Sequence, residues 1–257
     1  MNGTYRLGDV VRSEWTKFVT LRSTRLMLFA FPVTGVALGV LISFLTGANW
    51  SEASAETRAT WDPTNNVLAG LIPGSLLIPL LGVLMVTSEY NHGSIRSTLA
   101  AVPRRSTVLA ANTVVIGAVA FVACEAVTFA TFLVSQQVTG DAPRATLGQP
   151  GVLRALVLSG TYLALLGLFG LGLGTAVRNS GGAVAVYCAM VLVLPNLMLA
   201  LPGKLWRFGP IIILANSITA VKVQPDFLSP AVGFAVMVAY AAGALAAGHL
   251  VLSRRDA

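Results

Sequence analysis

Charge is scarce in this sequence. Asp, Glu, Lys and Arg make up only 11% of its 257 residues, whereas 55% are hydrophobic and the mean hydropathy is +0.78. That balance excludes water as the solvent for most of the chain. Cysteine and histidine are scarce as well, with two of each. Cys124 and Cys188 fall inside long apolar stretches, where a thiol packs as a small apolar group, so neither a disulfide nor a metal pair is indicated. His92 and His249 lie in different segments with no second ligand nearby, and the sequence holds no H-E-x-x-H and no G-x-S-x-G. These absences disfavour an intramembrane hydrolase. The phosphate-cradling G-x-x-x-x-G-K-[ST] is missing too, so the chain is expected to bind no ATP and to hydrolyse none. No basic stripe interleaved with aromatics accompanies the net charge of +7, which therefore does not point to nucleic acid.

What the sequence has is long apolar blocks. Crossing a hydrocarbon layer ~30 Å thick takes ~20 mainly apolar residues at 1.5 Å each. Six blocks reach that length, at residues 26–46, 66–87, 107–134, 152–176, 180–200 and 230–252. The expected fold is an all-α polytopic membrane protein with six transmembrane helices, forming a single transmembrane domain over 1–257. None of the polar connections, near 47–65, 88–106, 137–151 and 201–229, could bury a core of its own.

Orientation follows from the basic residues, which cytoplasmic loops retain in excess. Arg6, Arg12, Lys17, Arg22, Arg25, Arg96, Arg104, Arg105, Arg178, Arg254 and Arg255 gather on one side. The other side carries Arg58, Arg144, Arg154, Lys204, Arg207 and Lys222, nearly balanced by Glu52, Glu56, Asp62, Asp141 and Asp226. The first side is expected to be the cytoplasm, with both termini there and the chain in the cell membrane. The first apolar block follows 25 residues and has no clear small-residue cleavage motif, so it reads as a retained span and not as a secretory signal.

Ahead of that block, Leu7, Val10, Val11, Trp15, Phe18 and Leu21 recur at helical spacing, while Arg12, Ser13, Glu14 and Lys17 fill the other face. The spacing predicts an amphipathic helix over 7–22, lying in the headgroup layer with Trp15 at its centre. A solvated basic arm is the plainer alternative. Between the second and third blocks, SEYNHGSIRSTLAAVPRRS places Ile95, Thr98, Leu99 and Val102 on one face of a short helix that Pro103 closes. Gly93 and Ser94 can start it, and Ser106 is placed to cap the third span.

Within the blocks, Glu125 stands out, because a charged carboxylate there costs at least ~2.5 kcal/mol on insertion scales. It reads equally as a substrate-path or subunit-interface group, or as a protonated acid bonded to a neighbouring helix hydroxyl. Pro73, Pro79 and Pro195 are expected to kink their helices. Gly35 with Gly39, and Gly170 with Gly174, suit close helix approach. The apolar run 208–221, interrupted by Asn216, is too short to span and reads as a re-entrant or interfacial hairpin, or as a loop packed on the protein.

Three stretches together resemble the permeases of ABC-2 type ABC transporters, in particular small, six-span, actinobacterial-looking members. They are EWTKF (Glu14 to Phe18), the SEYNHGSIRSTL loop, and VPRRS before the third span, and with the span spacing the resemblance covers nearly the whole chain. Asn112 stands where similar permeases often carry a basic residue. The resemblance implies a permease of an exporter, with a second permease subunit completing the path in a homodimer or heterodimer. It also implies a cytosolic ABC ATPase subunit that holds ATP and Mg, while this chain is no enzyme and binds no cofactor. On this footing the segment from Ser94 to Val102 is a coupling helix, its contacts to the ATPase made by Gly93, Ile95, Arg96, Thr98, Leu99 and Val102. Glu89 would orient the junction against Arg96 or Arg104, and Glu14, Trp15, Lys17 and Phe18 would belong to the interfacial connecting helix. The alternatives are an ATP-independent secondary transporter and a membrane scaffold. A secondary transporter is expected to show more intramembrane charge and often a repeated half, neither of which is found.

Overall fold

The computed structural model describes residues 6–91, 93, 98, 102, 104–200, 203–220 and 226–254. Among them there is no strand, and six helical stretches are long and apolar enough to cross a membrane. They run Arg22–Ala48, Pro63–Tyr90, Arg105–Val138, Val152–Val177, Ser180–Leu199 and Pro230–Arg254, making this a multi-pass helical membrane protein.

Helix α1 (Leu7–Thr20) precedes the first span and stops two residues sooner than its apolar pattern suggests. Leu21 is extended (φ −68°, ψ 123°), which lets α2 (Arg22–Ala48) leave in a new direction. The buried face of α2 is narrow and made of Thr24, Phe31, Gly35, Gly39 and Ser43, while Leu26, Phe29, Val33 and Phe44 stay exposed. An outward apolar face of this kind is at no disadvantage in lipid.

After a short α3 (Ala55–Ala59), the second span is broken and not merely kinked. Asp62 caps α4 (Pro63–Leu68) by accepting from the Thr64 and Asn65 amides at 2.9 and 3.2 Å, with Pro63 in the first turn, where its missing N–H is harmless. A 3-10 turn (Ala69–Leu71) and Pro73 then interrupt the run before α5 (Gly74–Asn91) begins, and Pro79 is carried inside α5. The third span, α6 (Arg105–Ser135), starts without a side-chain cap: Arg104 occupies the cap position and Ser106 lies inside the first turn.

The fourth span, α7 (Val152–Val177), is the centre of the bundle, packed by α5, α6 and the last span. Burial runs all round it, from Val152 through Leu163 and Leu166 to Thr175. Lipid tails are as apolar as leucine, so no hydrophobic gain drives these helices together inside a bilayer, and backbone proximity must do so. Glycine supplies it. A Cβ on Gly82 of α5 would stand 2.2 Å from the Gly167 carbonyl oxygen, and one on Gly170 would stand 2.2 Å from that of Pro79. Glycines 35, 39, 170 and 174 therefore serve packing inside one subunit.

The fifth span is α8 (Ser180–Cys188), a wide π turn (Ala189–Val193) and α9 (Leu194–Leu199). Pro195 cannot donate to the preceding turn, and the π turn absorbs the mismatch. Asn196 restores one bond, its Nδ2 donating to the Leu192 carbonyl at 2.5 Å. A 3-10 turn (Leu205–Phe208) and α10 (Pro210–Ser217) then fold back onto the bundle. Ile213 and Leu214 join the main core, Ser217 meets Ser159 of α7 at 3.1 Å, and the Ala220 amide donates to Asp62 at 2.8 Å. The run 208–220 is thus a helical segment packed on the protein. The sixth span, α11 (Pro230–Arg254), lies along α7, where Gly248 lets it approach the Gly172 carbonyl.

Cys124 is buried and Cys188 half-buried, both as free thiols.

Candidate functional site

Helix α1 packs by residues four apart. Val10, Glu14 and Phe18 form the buried face, with Glu14 only 1% exposed. The sequence pattern puts Glu14 on the polar side and Trp15 at the apolar centre. In the fold Glu14 points into the protein, while Trp15 is half exposed and stacked on Phe18 at 6.1 Å. A buried carboxylate needs a counter-charge, which the apolar period alone cannot reveal.

Lys17 supplies it, and does more. Its Nζ donates to Glu14 at 2.7 Å, to Glu89 at 2.7 Å and to the Thr98 hydroxyl at 3.3 Å. One ammonium therefore joins α1, the end of α5 and the loop beyond it. For Glu89 the sequence reading named Arg96 or Arg104 as partner. Lys17, 72 positions away, is a partner the sequence did not name; the Arg104 side chain is exposed and Arg96 lies outside the described residues.

Burial pushes the Glu14 carboxyl above its ordinary range despite the bond to Lys17, and the nearby Glu89 adds to the rise. For Lys17, burial alone would lower the ammonium pKa, but the bonds and charges of Glu14 and Glu89 outweigh it and hold the value up. Glu14 therefore takes a proton more readily than an ordinary glutamate, while Lys17 stays charged.

The loop itself is partly described. Gly93 ends α5 with φ +70°, a left-handed position that suits glycine at a helix C-terminus, its amide donating to the Tyr90 carbonyl at 3.2 Å. The Val102 amide donates to the Thr98 carbonyl at 2.9 Å, which is one α-type turn. Ile95, Arg96 and Leu99 lie outside the described residues. Glu89, Tyr90 and Asn112 share a small cavity of about 20 Å³, room for about one water. Asn112, where a basic residue was considered, is buried beside Glu89.

Two further arginines organise this end of the bundle, although the sequence marks them only as topology charges. Arg105 Nη1 donates to the Leu252 carbonyl at 2.7 Å and Arg178 Nη2 to the Val251 carbonyl at 3.2 Å, so both meet the last carbonyls of α11. Arg178 also lies 5.5 Å over the Tyr90 ring and closes α7 in a left-handed conformation (φ 60°). The ends of α5, α6, α7 and α11 are thereby tied to each other next to Lys17.

Glu125 is elsewhere. It sits between α6 and α7, where Thr161 donates to it at 3.0 Å. A Cβ on Gly160 would lie 2.6 Å from its carboxyl carbon, so this glycine makes the space it occupies. One carboxylate oxygen is thus bonded to a hydroxyl of the neighbouring helix.

Among the described residues no three metal-ligating side chains come together. What the Lys17 cluster can do is mechanical: a displacement at Thr98 or Glu89 pulls on α1 through one nitrogen. Compared with known families and with curated proteins, the chain matches no family model and no curated relative.

Proposed function

We propose that this chain is the membrane-spanning permease subunit of an ABC-2 type exporter, driven by a separate cytosolic ABC ATPase. The observation that carries the reading is the triple engagement of Lys17, which links the N-terminal helix to the second span and to the loop at Thr98. A permease that consumes no nucleotide must receive motion from a partner through a loop, and a loop wired by a buried ion pair to two helices can pass it on. On this reading the segment from Ser94 to Val102 enters the ATPase, the Lys17 end faces the cytoplasm of the cell membrane, and a second permease subunit completes the path. ATP and Mg stay on the ATPase.

The test is co-purification of the tagged chain with the ATPase encoded beside it, followed by ATP hydrolysis of the complex. The wild type is expected to hold the ATPase, and Leu99→Asp to release it, because a carboxylate on the apolar face of the coupling segment opposes burial. A chain that captures no ATPase, with Leu99→Asp behaving as the wild type, would sink the coupling assignment and favour ATP-independent transport.

A further inference from the structure

The opposite end of the bundle holds a cavity that the coupling reading leaves unused. It lies where the first turn of α7, the folded-back segment and the start of α11 meet. Arg154 enters it from α7 and Arg207 from the 3-10 turn before α10, and no carboxylate lines it among the described residues. Asp226, close in sequence, is engaged by Lys204.

The other polar groups around the cavity already have partners. Tyr162 donates to the Pro230 carbonyl at 3.1 Å, and Asn216 Nδ2 to the Leu228 carbonyl at 3.2 Å. The guanidinium groups are different. Arg207 lies against the Phe208 ring at 5.3 Å, and its Nε is buried with no acceptor among the described residues. Arg154 reaches the Thr219 carbonyl only at 3.5 Å, a long and weak contact. Both line one void, Arg154 exposed to solvent and Arg207 with a buried donor unmet, an arrangement that an entering anion would satisfy. Helices α7 and α11 both begin here, and their N-terminal ends add positive potential.

The enclosed space is about 20 Å³, enough for about one anionic oxygen, with the body of the ligand outside the mouth. Guanidinium forks match phosphate oxygens well. The cavity also lies at the ends of two spanning helices, the depth at which lipid phosphates stand. We infer that Arg154 and Arg207 form a binding site for a phosphate oxyanion, supplied by a phospholipid headgroup or by free phosphate. The inference is independent of the transport reading.

The experiment follows thermal unfolding of the purified full chain in detergent. It is titrated with short-chain phosphatidylglycerol, with the matching phosphate-free diacylglycerol, and with inorganic phosphate. At least one phosphate compound is expected to raise the wild-type melting temperature, and diacylglycerol to leave it unchanged. Arg154→Gln and Arg207→Gln are each expected to raise the half-saturating concentration by about tenfold or more, the loss of a charged hydrogen bond. Lys204→Gln, outside the cavity, is expected to respond like the wild type. If a glutamine variant does not fold, Arg207→Lys, which keeps the charge but loses the fork, replaces it with the same expected direction. A response to phosphatidylglycerol alone assigns the site to lipid, and a response to inorganic phosphate assigns it to the free anion. No wild-type response to either, or variants that respond as the wild type does, overturns the site.

Discussion

Replacing Lys17 with methionine tests the junction most directly, because it removes one nitrogen and keeps the length of the stem. Two carboxylate oxygens, each 2.7 Å from that nitrogen, cannot be more than about 5.4 Å apart. At an effective dielectric of about 20, two bare charges at that distance repel by about 3 kcal/mol. The cluster can escape by protonating one carboxyl. From the ordinary glutamate value of 4.5, doing so at neutral pH costs about 3 kcal/mol, and less at Glu14, where burial already favours the proton. Lys17 is 31% exposed, so water screens part of either penalty. The expected loss is about 2–3 kcal/mol, below the roughly 3–5 kcal/mol of a fully buried pair broken on one side. It should appear as a drop of roughly 5–10 °C in the detergent-solubilised melting temperature. Adding Glu14→Gln removes the buried carboxylate on α1 that Lys17 had neutralised, so the double variant should recover more than half of the loss. A Lys17→Met protein within about 0.5 kcal/mol of the wild type, or a double variant showing simple additivity, would refute the reasoning. The pH dependence has a definite sign. The folded pKa of Lys17 is raised, so its contribution is complete below the ordinary lysine value of 10.5 and is lost as the pH climbs through the raised value. Lys17→Arg, which does not deprotonate, should therefore keep more of its stability than the wild type in alkaline solution.

Further outcomes follow from the packing. Gly82→Val places a side chain 2.2 Å from the Gly167 carbonyl oxygen, where both neighbours are backbone, so little folded protein should be recovered. By contrast Gly8→Ala in α1 meets nothing within 4 Å and should be neutral or stabilising by up to about 1 kcal/mol on thermal unfolding. Glu125→Gln keeps an acceptor for Thr161 and the same shape, so the melting temperature and, on the proposed permease reading, transport should stay near the wild type. A large loss of transport from that variant alone, without loss of stability, would instead place Glu125 on the substrate path.

The helices were legible because their signal is local. Twenty apolar residues in a row have few alternatives to a spanning helix, and the six stretches found differ from the apolar blocks only by a few residues at their ends. The interruption at Pro73 and the disturbance before Pro195 were also written in the chain, since a missing N–H has the same consequence in every fold. The severity was not: whether Pro73 bends or breaks its span depends on α2, whose backbone at Gly39 comes so close to Gly70 that a Cβ there would lie 2.3 Å from the Gly39 nitrogen.

The candidate site was half legible. Glu14, Lys17, Glu89 and Thr98 each stood out as residues, yet their mutual bonds span up to 81 positions and no periodicity encodes a contact of that kind. Glu14 was misplaced because helical spacing sorts residues by polarity, whereas burial of an acid follows the position of its counter-ion. Arg207 and Arg154 meet only because α10 folds back on α7, a choice made by packing at Ile213, Leu214 and Ser217. By itself, then, the sequence determined the solvent and the number of spans, because transfer to lipid is a sum over neighbouring residues. The tertiary structure alone decided which charges meet, because a Coulomb partner is selected by distance in space and not along the chain.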